Sequence, residues 1–321
     1  MEVFETKCKI PSEYEGERID KVLAKLCVGV SRSQISAWIQ SSTVFVNNSV
    51  VKASYRVKGG ELVAVGGMLN PTPNWTVTSD VNYKILFEDE HVLVVDKPAG
   101  LVTHPGKGNE RGTLVNGLIG HRTELANLPR AGIVHRLDKN TSGLLVVAVS
   151  KTAFNELTLA ISKHEISRRY VAIVEGILEH NVRVDLPIGR HVTQRTLRQV
   201  RNDGRPAVTD FQPIERYRKH TLVEAKLRTG RTHQIRVHAQ ALSIPILGDV
   251  AYGARGLLPK LPSVELSKTV KAFGRQALHA KRLQFRHPVT QKDMKFVSQT
   301  PSDIQELIYV LQRDEKTSSL A

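Results

Sequence analysis

The stretch from Arg130 to Ala148 reads RAGIVHRLDKNTSGLLVVA, with a polar loop between two apolar runs. The apolar runs Gly132–Val134 and Leu144–Val149 predict strands, and Asp138 lies in the loop between them. An arginine and a lysine stand within two residues of this carboxylate, and nearby cations favour its ionised form. Covalent catalysis by aspartate requires that form. A plainer interpretation is that Asp138 only caps a turn or forms a weak surface ion pair. The stretch alone leaves both open.

A second polar stretch, LRTGRTHQIRVH, runs from Leu227 to His238. Thr232 is a suitable N-cap for a helix that continues to Leu242, which places Arg231 at the helix start. A helix N-terminus beside a guanidinium is a site for an anion, either an aspartate or a phosphate. The alternative is an ordinary cap next to a solvated arginine.

The whole chain is strongly basic, with 46 Lys and Arg against 31 Asp and Glu in 321 residues. An excess of this size favours a polyanionic partner, most commonly nucleic acid. The apolar runs are far shorter than the roughly 20 residues of a membrane span. Only two cysteines occur, Cys8 and Cys27, which favours a reducing compartment over a disulfide framework. We therefore expect a cytoplasmic protein.

The first part of the chain, residues 1–67, is predicted to form a small unit of its own. Apolar residues recur at helical spacing within Ile19–Leu26. Ser31 followed by Gln34 is the capping-box pattern at the start of a second helix. Asn47–Asn48, between two valine-rich runs, predicts a hairpin turn.

The remaining chain is predicted to form a larger α+β domain at residues 79–313, with a mixed, largely antiparallel central sheet, because strand-like runs dominate without a βαβ rhythm. The glycine- and proline-rich stretch Gly66–Asn74 predicts a linker, placed at residues 68–78. Gly253–Arg275 is expected to be a loop-rich insertion. Residues 314–321 are expected to be a disordered tail.

Common cofactor and metal patterns are missing from the sequence. It has no Gly-x-Gly-x-x-Gly opening a helix and no Walker loop. His233 and His238 lie five residues apart, which does not match the i, i+4 spacing of a zinc-binding helix. We therefore expect no cofactor and no metal site.

Several segments together resemble the RluA-type family of pseudouridine synthases. The matching segments are Arg136–Asp138, Arg168–Tyr170, Gly230–Arg236, Gly248–Gly253, Gln276–Ala280 and Asp96–Gly100. Ser31–Ile35 in the N-terminal unit is similar to an S4 RNA-binding domain. The resemblance covers residues 15–310 and implies the pseudouridine synthase fold with an N-terminal S4-like α/β domain. Asn140 and Arg169 depart from the family pattern, and neither carries an assigned catalytic role.

The resemblance also implies roles for individual residues. Asp138 would be the nucleophile, and Arg231 would pair with it and keep it ionised. Tyr170 would pack against the uracil and relay a proton, although a tyrosine in a strand is also common in protein cores. Arg136 would fill the space that the extruded uridine leaves. Attack at ribose C1′, attack at uracil C6 and a glycal route all remain compatible with the residues.

The implied partner is large-subunit ribosomal RNA or its assembly intermediate, bound by a protein that we expect to act as a monomer without a cofactor. Arg32 and Lys52 in the S4-like unit would add RNA contacts. Two competing functions remain. One is a non-catalytic RNA-binding or ribosome-assembly protein. The other is an RNA hydrolase that uses Asp138 with His135 or His233, which would release base or cut the strand.

Overall fold

The structure is a computed structural model, and it describes residues 3–27, 30–68, 80–106 and 108–319. The chain divides into two compact units, Met1–Asn74 and Trp75–Ala321. Most of the predicted linker, residues 69–78, lies outside the described residues. None of the described helices is long and apolar enough to span a membrane.

The first unit packs two helices on a four-stranded antiparallel sheet of order β1-β4-β2-β3. Its elements are β1 (Val3–Lys9), α1 (Ile19–Leu26), α2 (Arg32–Gln40), β2 (Val44–Val46), β3 (Ser49–Val50) and β4 (Leu62–Met68). Both predicted helices and the hairpin are confirmed. The Ser31 hydroxyl accepts a hydrogen bond from Gln34 N–H at 3.2 Å. Asn47 and Asn48 both have positive φ, as a tight hairpin turn requires.

The predicted linker begins too early in the sequence. Gly66 and Gly67 belong to β4 and pair with Glu5 and Phe4 of β1. The indole N–H of Trp38 donates to the carbonyl of Met68 at 3.2 Å, which ties this end of the strand to α2. The glycine and proline content of this stretch suggested a linker, whereas Gly66 and Gly67 form the end of a strand.

The second unit contains a nine-stranded sheet with helices around it. Its elements are β5 (Lys84–Glu88), β6 (Val92–Lys97), α3 (Leu114–His121), β7 (Ser142–Ala148), α4 (Lys151–Ser162), β8 (Ser167–Glu175), β9 (Val182–Asp185), β10 (Ile188–Arg190), β11 (Arg198–Val200), β12 (Val208–Arg216), β13 (His220–Leu227), α5 (Gln234–Ala241), α6 (Val264–Ala272), β14 (Leu278–Arg286), β15 (Asp293–Val297) and α7 (Ser302–Ser319). The strand order is β5-β6-β7-β14-β8-β13-β12-β9, and β15 pairs with β14. Strands β10 and β11 form a separate hairpin.

The sheet is mixed and largely antiparallel, which confirms the predicted fold class. Among the described strands, β14 and β7 form the one parallel pair, through His279–Ser142 and Ala280–Gly143. Gly143 has a φ of 112°, and a Cβ on it would lie 2.3 Å from the carbonyl oxygen of Ala280. Glycine therefore allows the two strands to approach at this point.

The segment predicted as a strand at Gly132–Val134 forms a different structure. Pro129–Gly132 is a 3-10 turn in which Arg130, Ala131 and Gly132 all have positive φ. A Cβ on Gly132 would lie 2.0 Å from the carbonyl oxygen of Ala148, so only glycine fits. Ile133 then makes a single bridge to Val147. The apolar residues are buried as predicted, but the turn prevents a continuous strand.

The C-terminal predictions also need correction. Helix α7 continues to Ser319, so residues 314–319 are not a disordered tail; residues 320–321 lie outside the described residues. Asp314 is buried and accepts hydrogen bonds from Ser263 N–H at 2.7 Å and from Arg218 Nη1 at 3.0 Å. The presumed loop Gly253–Arg275 contains α6, which begins after Ser263 and packs against α7. These tertiary contacts order a polar sequence.

Candidate active site

One cavity of about 570 Å³ in the second unit is lined by residues from five separated segments, and three of them carry the residues predicted for the site. The residues predicted for the site that line it are Arg136, Asp138, Tyr170 and Arg231. Three segments that are distant in sequence meet here: the loop before β7, strand β8 and the turn into α5. The volume is in the range of small-molecule sites.

Asp138 lies on the loop that leads into β7. Leu137 before it is buried, and its carbonyl accepts a hydrogen bond from Thr103 Oγ1 at 2.7 Å. The carbonyl of Asp138 accepts from Thr141 N–H at 3.0 Å. The backbone is thus anchored on both sides, and the carboxylate remains 16% exposed at the cavity.

Arg236, in the first turn of α5, is the cation that pairs with Asp138. Its Nη1 donates to Asp138 Oδ2 at 3.2 Å, while Nε and Nη2 donate to the two oxygens of buried Asp249 at 2.6 and 2.8 Å. The guanidinium also lies over the ring of Tyr252, 4.6 Å from its centroid. Burial lowers the pKa of Arg236, but the hydrogen bonds and charge of Asp249 and the charge of Asp138 outweigh it and raise that pKa. Arg236 is therefore a permanently charged, fixed partner of Asp138.

The predicted pairing of Arg231 with Asp138 is wrong. Arg231 lines the cavity, but its Nε donates to the carbonyl of Pro206 at 3.0 Å. Thr232 is not the N-cap either, because His233 takes that position in a left-handed conformation, with φ 59°, and the helix starts at Gln234. This later start puts Arg236 in the first turn.

The side chain of Gln234 holds this turn. Its Oε1 accepts hydrogen bonds from Thr229 Oγ1 at 2.7 Å and from Arg231 N–H at 2.9 Å. Its Nε2 donates to the carbonyl of Val208 at 3.0 Å and to Thr209 Oγ1 at 2.9 Å. The turn that carries Arg231 is thereby attached to β12 and to the end of β13.

His233 makes a second contact to Asp138, and Tyr252 contacts the histidine ring. The Tyr252 hydroxyl accepts from Arg198 N–H at 2.9 Å and lies 2.7 Å from His233 Nδ1. Burial lowers the pKa of His233, against the opposing charge of Asp138, so the ring is neutral near pH 7. The other ring nitrogen, Nε2, lies 3.8 Å from Asp138 Oδ1. Asp249 and Tyr252 lie in the Gly248–Gly253 segment that resembles the family, but the sequence alone predicted no role for either residue.

Tyr170 lies on β8 at the cavity wall and is buried. Burial raises its pKa to about 12, with the charge of Arg168 lowering it and that of Asp138 raising it. The phenol therefore stays protonated near neutral pH. An aromatic ring with a bound proton is suited both to packing against a base and to donating or passing on that proton.

His135 and Arg168 are buried in the wall of the same cavity. His135 Nε2 accepts a hydrogen bond from Val146 N–H at 3.2 Å. Burial, with a contribution from the charge of Arg168, lowers the pKa of His135 to about 3. His135 is thus a neutral ring that is already bonded to a strand, which argues against a hydrolase that uses it as a base.

Lys97, at the end of β6, is fully buried beneath the Asp138 loop. Its Nζ donates to the carbonyls of Pro98, Leu101 and Lys139 at 2.8, 2.9 and 3.1 Å. Burial lowers the pKa of Lys97 to about 7, while the charge of Asp138 acts in the opposite direction. Lys97 therefore links the 98–101 segment to the loop that carries Asp138.

The two RNA-contact residues predicted in the first unit are both exposed. Arg32 Nη2 donates to Asp20 Oδ2 at 2.9 Å, and Arg18 donates to the same carboxylate. Lys52 lies in the loop after β3. Within the described ranges, no cluster of His, Cys, Asp or Glu could hold a metal ion.

Comparisons with known proteins identify the family. The family described as RNA pseudouridylate synthase matches residues 91–241, and the S4 domain matches residues 17–63. The ribosomal large subunit pseudouridine synthase D of Vibrio vulnificus (strain CMCP6) is 44% identical over 306 residues, 95% of this chain and 94% of that protein. The protein of that name from Pseudomonas aeruginosa is 40% identical over 98% of both chains. The solved structure of human RNA pseudouridylate synthase domain containing 4 is similar, with a TM-score of 0.55 and 25% identity over 71% of this chain and 92% of that one.

Proposed function

The chain belongs to the RNA pseudouridylate synthase family, and on that premise we propose that it converts specific uridines of large-subunit (23S) ribosomal RNA to pseudouridine with Asp138 as the nucleophile. The observation that carries the assignment is the ion pair between Asp138 and Arg236 at a cavity that Tyr170 also lines. The proposed RNA substrate is taken from the names of the relatives. The proposed roles of the individual residues rest on the geometry of the site.

The reaction breaks the bond between uracil N1 and ribose C1′ and forms a bond between C5 and C1′. The hydrogen of C5 leaves and N1 ends with a proton, so the product is an isomer and the proposed chemistry needs no cofactor. Attack at C1′, attack at C6 and the glycal route make the same demand on this chain: an ionised carboxylate fixed beside the target nucleotide. Arg236 meets it by holding one oxygen of Asp138.

Tyr170 would pack against the uracil and relay a proton, with the phenol oxygen accepting the hydrogen that leaves C5 as the phenol's own proton passes on. Its raised pKa keeps the proton on the phenol until then. The base must first leave its helix or loop, at a cost of a few kcal/mol. Arg136 is exposed two residues before Asp138 and lines the same cavity, so it is placed to fill the vacated space.

The N-terminal unit would act as a second anchor on the RNA through Arg32 and Lys52. Residues 1–67 carry nine basic and seven acidic side chains, so most of the net charge of +15 lies in the larger unit. Phosphate attraction should therefore come mainly from that unit. We further propose that the protein acts as a monomer in the cytoplasm, where both cysteines, Cys8 and Cys27, would stay reduced.

The test is to map pseudouridines in ribosomal RNA from cells that lack the protein and from cells complemented with wild type or Asp138→Asn. Specific sites should disappear on deletion, return with wild type and stay absent with the variant. The variant should bind RNA as well as wild type, because a carboxylate does not attract a polyanion. Unchanged large-subunit sites on deletion would refute the substrate, and restoration by Asp138→Asn would refute the nucleophile.

A further inference from the structure

Arg231 lines the cavity and forms a cationic pair with Arg205, whose positive charge acts on its guanidinium. The Nε of Arg231 donates to the carbonyl of Pro206, the residue next to Arg205 in the chain. The backbone of Arg205 is fixed by two 2.9 Å hydrogen bonds with Ile188, one from each residue's N–H to the other's carbonyl. These contacts hold the Arg205–Pro206 backbone beside the guanidinium of Arg231.

Nothing within residues 3–27, 30–68, 80–106 and 108–319 neutralises this pair: neither guanidinium forms an ion pair with a carboxylate there. Arg228, three residues before Arg231, does have such a partner, because its Nε donates to Asp210 at 2.7 Å. Burial lowers the pKa of Arg231, and the charge of Arg205 lowers it further. An arginine stays charged despite such shifts, so the pair is two adjacent cations without a counterion.

The guanidinium of Arg231 is also held in a fixed orientation that suits an anionic ligand. Its Nε is occupied by Pro206, and its backbone N–H is bound to Gln234. Within the part of the chain that the structure describes, its two terminal amino groups donate to no protein atom. Two free amino groups on a fixed plane are the donors that recognise a phosphate or carboxylate.

We propose that Arg231 and Arg205 bind one phosphodiester of the RNA backbone next to the extruded uridine. This inference rests on the proposed function and deepens it, because Arg231 lines the same cavity as Asp138 and the anion must therefore belong to the RNA that supplies the target uridine. Phosphodiesters are the anions of that RNA. Arg231 then helps to bind the RNA at the site, whereas Arg236 pairs with Asp138.

The experiment tests whether the charge of one arginine interacts with the charge of one particular phosphate of the RNA. The probe is a fragment of large-subunit ribosomal RNA that the wild-type protein binds, prepared with a single neutral methylphosphonate at each linkage in turn around a uridine of the fragment. Dissociation constants are measured for Arg231→Gln, for Arg205→Gln and for the control Arg228→Gln, which pairs with Asp210, a carboxylate that it shares with Arg183. Arg205 is exposed, so its variant tests the proposal even if Arg231→Gln folds poorly.

On the all-phosphate RNA, Arg231→Gln and Arg205→Gln should each weaken binding about tenfold, the loss expected for one charge-assisted contact. On the RNA with one particular linkage neutralised, the same variants should lose less than about twofold, because the partner charge is already gone. Arg228→Gln should stay within about twofold on every RNA.

Equal losses on every RNA would overturn the proposal, as would normal affinity of both variants for the all-phosphate RNA. Conversion of the fragment is scored separately by loss of tritium from C5 of the uridine. Coupling to one linkage without any tritium loss would refute the proposed function and leave the phosphate site standing. Tritium loss without coupling would refute only the phosphate site.

Discussion

The contact between Asp249, Arg236 and Asp138 gives the sharpest test of the site. Arg236→Met should remove the cation that both carboxylates share. The side chain of Asp249 is only 2% exposed and accepts two hydrogen bonds from Arg236. Removing one partner of such a buried pair costs about 3–5 kcal/mol of unfolding free energy, because the remaining charge stays buried and unpaired. Asp138 is 16% exposed and should contribute less to this loss.

The double variant Arg236→Met, Asp249→Asn separates stability from chemistry. Removing the second charge should restore most of the lost free energy of unfolding, so the two substitutions should be strongly non-additive. The isomerisation should not recover, because Asp138 still lacks the cation that orients it. A misplaced reacting group costs about 100-fold in rate, and we expect at least that loss.

Stability is followed by urea denaturation with circular dichroism, and chemistry by single-turnover tritium release at saturating RNA. The control is Arg201→Met, which removes the same two-pronged contact at an exposed pair with Asp203 and should change neither measurement. A near-normal rate constant for the double variant would show that Asp138 does not need Arg236. Additive stability losses would show that Arg236 and Asp249 do not act as a buried pair.

Two further predictions concern Lys97 and the N-terminal unit. In the folded chain the pKa of Lys97 is lowered from 10.5 to about 7, so between these pH values the unfolded chain binds more protons. As the pH rises through this range, Lys97 should therefore increase the free energy of unfolding by up to about 1.4 kcal/mol per pH unit. Lys97→Met should remove this part of the pH dependence, as measured by urea denaturation at several pH values. The same pH dependence in wild type and variant would contradict the prediction. Deleting residues 1–74 should weaken RNA binding but leave the single-turnover rate constant at saturating RNA nearly unchanged, because every residue assigned to the chemistry lies beyond them. A folded truncation without chemistry would show that the first unit helps to build the site.

Sequence patterns predicted the elements whose signals are local. Ser31 and Gln34 mark a helix start that the structure contains, and Asn47–Asn48 mark a hairpin, because caps and turns depend on a few adjacent residues. The α+β class followed from the prevalence of strand-like runs. The strand order, with β14 inserted between β7 and β8, depends on pairing across more than 100 residues and has no local signature.

The choice between Arg231 and Arg236 shows where sequence reasoning on the site reached its limit. Both arginines belong to one seven-residue segment, and Thr232 suggested a helix start that favoured Arg231. The left-handed conformation of His233 delays the helix by one residue, and Gln234 stabilises this turn through tertiary contacts with β12. Neither feature follows from a propensity. For α6 the signal was present, since Ser263 is an N-cap and Leu266 and Val270 are spaced as one buried face.

The position of β14 has a consequence for how the protein is synthesised. Asp138 precedes β7 and Tyr170 lies on β8, and the strand that joins β7 to β8 in the sheet begins only at Leu278. A nascent chain that ends before this residue contains both side chains but not the strand between them. Because domains fold as units and long-range strand pairing forms late, the two side chains reach their final separation only after β14 has emerged. Translation must therefore continue past β14 before the site can be complete.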